Sequence, residues 1–327
     1  MREISYAEAI REAFHQSLKA DPRVITLGQG VRSPWYVGTS MKDLDREFGK
    51  DRVLDTPVSE NATTGAAIGA ALAGMRPVVI HPRMDFMLLA MDQIVNQAAN
   101  WSYMTGGRVN VPITIRAIVN RGGEQAAQHS QALHAWFMHV PGLKVVMPGT
   151  PYDAKGLLIA SIRDDNPVLY IDDRWLYGER GNVPEEPYSV PIGKGAILRP
   201  GRDATVVAVS YMAREALIAA STLQDRGIDL EVVDLRSVKP LDKELILSSI
   251  RKTGRLITAD SGWLTGGLGA EIAALAVSEA YSDLKAPVAR VSLPDVPAPM
   301  SKTLEESYYP SHLQIIEAVE KVLAYAV

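Results

Sequence analysis

Short apolar, β-branched runs alternate with helix-length stretches along almost the whole chain. Consecutive parallel strands need a crossover, usually a helix, so this alternation limits the fold to an α/β class with a parallel sheet covered on both faces. In the first half the strand runs fall at residues 24–27, 53–54, 77–80, 111–117, 143–147 and 168–171. Helix signals lie between them. Ser5 and Glu8 make a capping-box pair that opens a helix to about residue 19. Residues 41–48 read as a short helix closed by Gly49, and 61–74 as a helix of very small residues with Gly74 as a left-handed cap. Asp85 is placed to cap a long apolar helix over 86–101, which Gly106-Gly107 ends. A helix is expected over 130–139, and Thr150-Pro151 opens another to about residue 163, with proline at its favoured first position. Residues 33–38 and the Gly-rich 118–128 read as loops.

The alternation fails over 175–195, where Gly178, Gly181, Pro184, Pro187 and Pro191 crowd together. It resumes with strands at 204–209, 230–234, 256–259 and 288–291 and helices at 212–226, 242–252, 268–280 and 312–324. The expectation is two parallel-sheet α/β domains, 1–185 and 186–327. A chain of 327 residues can bury two cores. The net charge of −4 argues against a general nucleic-acid or membrane surface. No cysteine is present, which removes disulfides, thiolate metal sites and thiol nucleophiles and suits a reducing compartment. The N-terminus has no apolar signal core, so the expected location is the cytoplasm.

Three strand-to-helix edges carry side chains with chemistry to offer. Glu60 stands between the strand ending at Leu54 and the small-residue helix, at the kind of edge where open α/β sheets put ligands. Its bland reading is a helix cap or an ion-pair partner. Gly65, Gly69 and Ala73 recur every four residues, leaving one face of that helix almost without side chains. Phe86 follows Asp85 at a second edge, where core packing is the ordinary use of a phenylalanine. His129 follows the Gly-rich loop at a third, as a helix-start histidine or a functional one. The histidines at 129, 134 and 139 are five apart and rotate round a helix, which argues against zinc. Gly28-x-Gly30-x-x-Ser33 only half resembles a dinucleotide fingerprint. Gly266-Gly267-Leu268-Gly269 opens a helix as an anion cradle or a tight turn.

Several longer blocks go further. They are Asp51-Arg-Val-Leu-Asp-Thr-Pro-Val-Ser-Glu60, Met91-Asp-Gln-Ile-Val-Asn-Gln-Ala-Ala99, Ala126-Ala-Gln-His-Ser-Gln131, Pro141-Gly-Leu-Lys-Val-Val-Met-Pro148, Asp153-Ala-Lys-Gly-Leu157 and Asp295-Val-Pro297. In this order, over nearly the whole length, the chain resembles the beta subunit of the thiamine-diphosphate-dependent decarboxylating component of 2-oxo acid dehydrogenases, of the pyruvate and branched-chain type. The resemblance implies a pyrimidine-binding domain followed by a transketolase C-terminal-like domain. It implies that Glu60 bonds the cofactor's aminopyrimidine at the ring nitrogen opposite the amine, that Phe86 packs on that ring, and that His129 faces the substrate for proton transfer or acyl handover. It also implies a structural potassium ion on backbone carbonyls near Ile113, Ser161, Asp164 and Asn166.

The Gly-Asp-Gly motif around which such enzymes build their Mg²⁺ and diphosphate site is absent. The resemblance therefore implies an alpha partner that binds diphosphate and Mg²⁺ in an α2β2 assembly, a small 2-oxo acid substrate, and a lipoyl acyltransferase as a further partner. The chain departs from the family at Ile80-His81-Pro82-Arg83-Met84-Asp85, at Arg121-Gly-Gly-Glu124-Gln125, at Trp35-Tyr36 and at Asp260, where Glu is usual. These polar departures motivate an alternative, half of a split transketolase or acyloin synthase that forms a carbon–carbon bond. A third reading is a non-catalytic scaffold that keeps the fold for assembly.

Overall fold

The computed structural model describes residues 2–325. It divides into two compact units. The first holds the chain up to Arg121 together with Trp136–Ile192, and the second holds Gly122–Ala135 and the chain from Gly193 onward.

The first unit begins with β1 (Arg2–Ser5) and α1 (Tyr6–Ala20), where Ser5 and Glu8 form the expected capping box. There follow β2 (Val24–Gly28), α2 (Pro34–Val37), α3 (Leu44–Phe48), β3 (Val53–Asp55), α4 (Glu60–Leu72), β4 (Arg76–His81), α5 (Met84–Met87), α6 (Trp101–Met104) and β5 (Thr114–Val119). After α7 (His134–Met138) come β6 (Lys144–Val146), α8 (Pro151–Arg163), β7 (Val168–Asp173) and β8 (Arg180–Val183). Strands of this unit run β6-β7-β5-β4-β2-β3, all parallel. Residues of β5 and β7 are buried on both faces, as a sheet covered by helices requires. β1 and β8 pair antiparallel as a separate ribbon. Each is four residues long and mostly exposed or half-buried, so neither has an apolar period to betray it.

Four local expectations need correction. The segment expected as a loop at 33–38 contains α2, one turn begun by Pro34 at the first helical position. The helix expected over 86–101 is not one α-helix. The chain passes from α5 through a 3₁₀ turn (Leu88–Ala90) and a π-helical run (Asp92–Ala98) to α6. Apolar spacing cannot distinguish bonds to the fourth residue back from bonds to the fifth, and here Ala99 N–H reaches Ile94 O. Asp85 does not cap: Arg83 holds the cap position, and Asp85 is buried within the first turn. The helix expected from 130 starts only at His134. Gly74, by contrast, ends α4 as expected. Its φ is 96°, its N–H donates to Ala71 O, and Met75 N–H donates to Ala70 O, the bonds of a Schellman close.

The second unit contains β9 (Ala196–Arg199), β10 (Ala204–Ala208), α9 (Tyr211–Gln224), β11 (Leu230–Asp234), β12 (Ser237–Lys239), α10 (Lys243–Thr253), β13 (Leu256–Trp263), α11 (Leu268–Ala280), β14 (Ala289–Leu293), α12 (Lys302–Tyr308) and α13 (His312–Leu323). Its sheet runs β14-β13-β10-β11-β9, parallel except for the antiparallel edge strand β9. The alanine face of α9 and the isoleucines and valines of α13 pack on Val206, Val232 and Ile257 to form its core. Among the described residues no helix is long and apolar enough to cross a membrane.

Candidate active site

In the first unit the chain leaves β2 for β3 on one side and returns to β4 on the other, so the strand order reverses around β2. A crevice at the carboxyl end of the strands forms at such a point. The strands approach closely here: a Cβ on Gly28 would lie 2.3 Å from Ile80 O. Asp55 Oδ1 accepts the Gly30 N–H at 2.7 Å and Thr56 N–H donates to Gly28 O at 3.1 Å, which ties the exit of β3 to that of β2.

Glu60 opens α4 on this edge. Ser59 is the cap residue but makes no side-chain cap bond, and neither an ion pair nor a hydrogen bond engages the half-buried Glu60 carboxylate among the described residues. The helix dipole favours a negative charge at this position. Behind it Thr64, Ala67, Ile68 and Ala71 face inward, and Thr64 Oγ1 lies 3.3 Å from His81 Nε2. Burial lowers the His81 pKa to about 4, so this imidazole is neutral. The opposite stripe, Ala62, Ala66, Gly69 and Ala73, is exposed, and nothing lies within 4 Å of a Cβ built on Gly69.

Phe86 sits on α5 just past β4 and is 38% exposed, whereas its neighbours Met84 and Met87 are fully buried. Glu60 and Phe86 therefore stand past adjacent parts of one sheet edge, each with surface to offer. His129 differs. It follows β5 in sequence, but its segment, Gly122–Ala135, belongs to the second unit. Glu124 and Ala126 take positive φ alongside Gly122 and Gly123, a strained path for two residues with side chains. Glu305 on α12 holds that path by accepting the Glu124 N–H at 3.2 Å. His134 Nε2 lies 2.9 Å from Asp260 Oδ1 at the far end of the segment. Burial raises the Asp260 pKa, but His134 and the N–H groups of Gly262 and Leu268 outweigh it and hold the carboxyl below its ordinary value. Neither Glu305 nor the His134–Asp260 pair carries a sequence signal, because both depend on contacts far apart along the chain.

Ile113, Ser161, Asp164 and Asn166 meet at the opposite, amino-terminal edge of the first sheet. Ile113 O accepts the Val168 N–H, Ser161 O the Asp164 N–H, and Asp164 O an Arg76 guanidinium N–H at 3.1 Å. Each of these three carbonyls retains a second lone pair.

Residues 2–179 match the family model described as transketolase, pyrimidine binding domain, and residues 193–315 match transketolase, C-terminal domain. The chain is 45% identical to the acetoin:2,6-dichlorophenolindophenol oxidoreductase subunit beta of Cupriavidus necator, covering 98% of each chain. It is 42% identical to the pyruvate dehydrogenase E1 component subunit beta of Rickettsia felis, over 99% of this chain and 100% of that one. A solved structure described as a split gene transketolase, inactive beta4 tetramer, superposes with a TM-score of 0.81 at 25% identity and covers 98% of each chain.

Proposed function

This chain belongs to the transketolase-like family, among the beta subunits of thiamine-diphosphate-dependent 2-oxo acid dehydrogenases, and on that premise we propose that it supplies the pyrimidine-activating half of such an enzyme's active site. The observation that carries this reading is the Glu60 carboxylate. It stands at a strand-exit edge and is committed to no other group of the described chain. That arrangement fits neither a cap nor an ion pair, and it leaves the acid available to a ring nitrogen.

Thiamine diphosphate, when bound, supplies the electron sink that accepts the pair released as carbon dioxide leaves. Glu60 would share a proton with the aminopyrimidine nitrogen and hold it there. The exposed face of Phe86 would pack on the pyrimidine and exclude water. His129 would move a proton at the substrate. The chain lacks Gly-Asp-Gly, so diphosphate and Mg²⁺ fall to an alpha partner, with α2β2 as the proposed assembly. The carbonyls of Ile113, Ser161, Asp164 and Asn166 would hold a structural potassium ion. A lipoyl acyltransferase as acyl acceptor and a cytoplasmic location complete the proposal.

The test is decarboxylation of 2-oxo acids by this chain co-expressed with its alpha partner. Glu60→Gln should lower kcat at least about 100-fold while the assembly persists, since one positioned proton-transfer group contributes roughly 10²–10⁴. Full activity in that variant removes the role assigned to the acid. The structural likeness to a split gene transketolase favours one second reading, transfer of a carbon fragment to an aldehyde. Product analysis separates the two: a new carbon–carbon bond supports the second, and acyl-lipoamide the first.

A further inference from the structure

β4, β5 and β7 lie side by side in the first unit, and each is followed within two residues by an arginine: Arg83, Arg121 and Arg174. Asn120 Nδ2 donates to Pro82 O at 3.0 Å and ties the exits of β4 and β5 together. The three cations are not equally matched. Arg121 pairs with buried Asp173 and lies 4.8 Å over the Trp175 ring. Arg83 has Asp85 nearby. Asp172 is taken by Arg116, at 2.9 and 2.8 Å, and by the Tyr177 hydroxyl at 2.7 Å. Among the described residues Arg174 is left with neutral groups. It donates to the carbonyls of Trp35 and Tyr36, lies over the Tyr177 ring, and keeps its buried Nε without a partner.

Among the described residues, with Asp172 taken by Arg116, these three guanidinium groups share the edge with Asp85 and Asp173, while His81 is held neutral by burial. Burial, together with the charge of Arg174, holds the Arg83 guanidinium below its ordinary pKa, with Asp85 acting the other way. A surplus cation on a partly desolvated edge is costly unless an anion meets it, and the guanidinium fork matches carboxylate and phosphate oxygens. Arg83 is also the cap residue of the helix that carries Phe86.

We propose that Arg83 and Arg174 form an anion subsite next to Phe86, and that the substrate is a 2-oxo acid bearing a second acidic group. This inference rests on the 2-oxo acid reading above and adds the substrate class to it. The second group is a carboxylate or a phosphoryl-type anion, for which the guanidinium chemistry is shared.

The experiment uses the complex with the alpha partner, loaded with thiamine diphosphate and Mg²⁺. Turnover is compared for 2-oxoglutarate, phosphonopyruvate, pyruvate and 2-oxobutyrate. Calorimetry measures binding of glutarate and of inorganic phosphate, which lack the 2-oxo group. One of the two acidic substrates should exceed the neutral ones about 100-fold in kcat/KM, and which one identifies the anion. Arg83→Gln and Arg174→Gln should each lower the acidic-to-neutral ratio about 30-fold, and Arg174→Lys less, because it keeps the charge and loses the fork. Preference for the neutral acids, or a ratio that neither glutamine variant moves, overturns the subsite and leaves the decarboxylation reading intact. If no 2-oxo acid is decarboxylated, that reading fails and calorimetry decides the subsite. Binding of glutarate or phosphate that weakens about tenfold in Arg174→Gln upholds it; absence of binding ends it.

Discussion

Glu60 and His81 show how far a single residue can be read before the fold is known. Both are polar side chains near strand exits. For Glu60 the sequence left open whether the acid was a cap, an ion-pair partner or a ligand group, and the tertiary structure leaves the carboxylate unengaged among the described residues. For His81 no spacing signals that α4 will cover it and bring Thr64 within bonding distance of its ring. That burial has a consequence for stability. The folded pKa, about 4, lies below the unfolded value near 6.5, so between these pH values the unfolded chain binds the extra proton. Stability should therefore be full above about pH 6.5 and fall as pH drops toward 4, by up to roughly 3 kcal/mol from this group. His81→Gln should flatten that part of the curve, read as the urea midpoint of the complex at pH 4.5, 5.5 and 7.

Elements were legible where capping and period agree. α1, α4, α8 and α11 have caps or apolar spacing that local chemistry explains, and their bounds fall within a residue or two of expectation. Local rules failed where the outcome depends on distant partners. The ribbon of β1 with β8, the edge strand β9, and α12 with Glu305 all lack a strong period of their own. The helical run after Phe86 mixes apolar residues with Asp92, Gln93, Asn96 and Gln97, and no spacing in it marks the change of hydrogen-bond register. Gly28 belongs to this scale, since its need arises only when β2 pairs with β4. A methyl group there would meet Ile80 O at 2.3 Å, and neither backbone can yield without breaking the ladder. Gly28→Ala should cost roughly 2–4 kcal/mol, as overpacking at a rigid site does. It should also lower affinity for thiamine diphosphate, because the same pairing sets the crevice. Chemical denaturation together with cofactor titration checks both.

For the whole molecule, the exposed small-residue stripe of α4 and exposed apolar side chains such as Val58 and Leu89 are surfaces that the chain leaves uncovered. If an alpha partner seats on that stripe, Gly69→Arg should abolish co-purification with the alpha subunit. The chain's own melting temperature should not fall, since nothing within 4 Å opposes the side chain and a helix interior prefers arginine to glycine. Retained assembly in that variant would move the interface elsewhere. The alternation of strands and helices, the caps and the ordered family blocks determined the α/β class, two domains and the edge on which to look, because those signals are written in neighbouring residues. Which carboxylates are consumed and which cations are left over was decided only by tertiary structure. Asp172 and Arg116 are fifty-six positions apart, and among the described residues Arg174 ends without an acid because Asp172 is already taken. Such pairings are competitions across the folded surface, and no local pattern records their outcome.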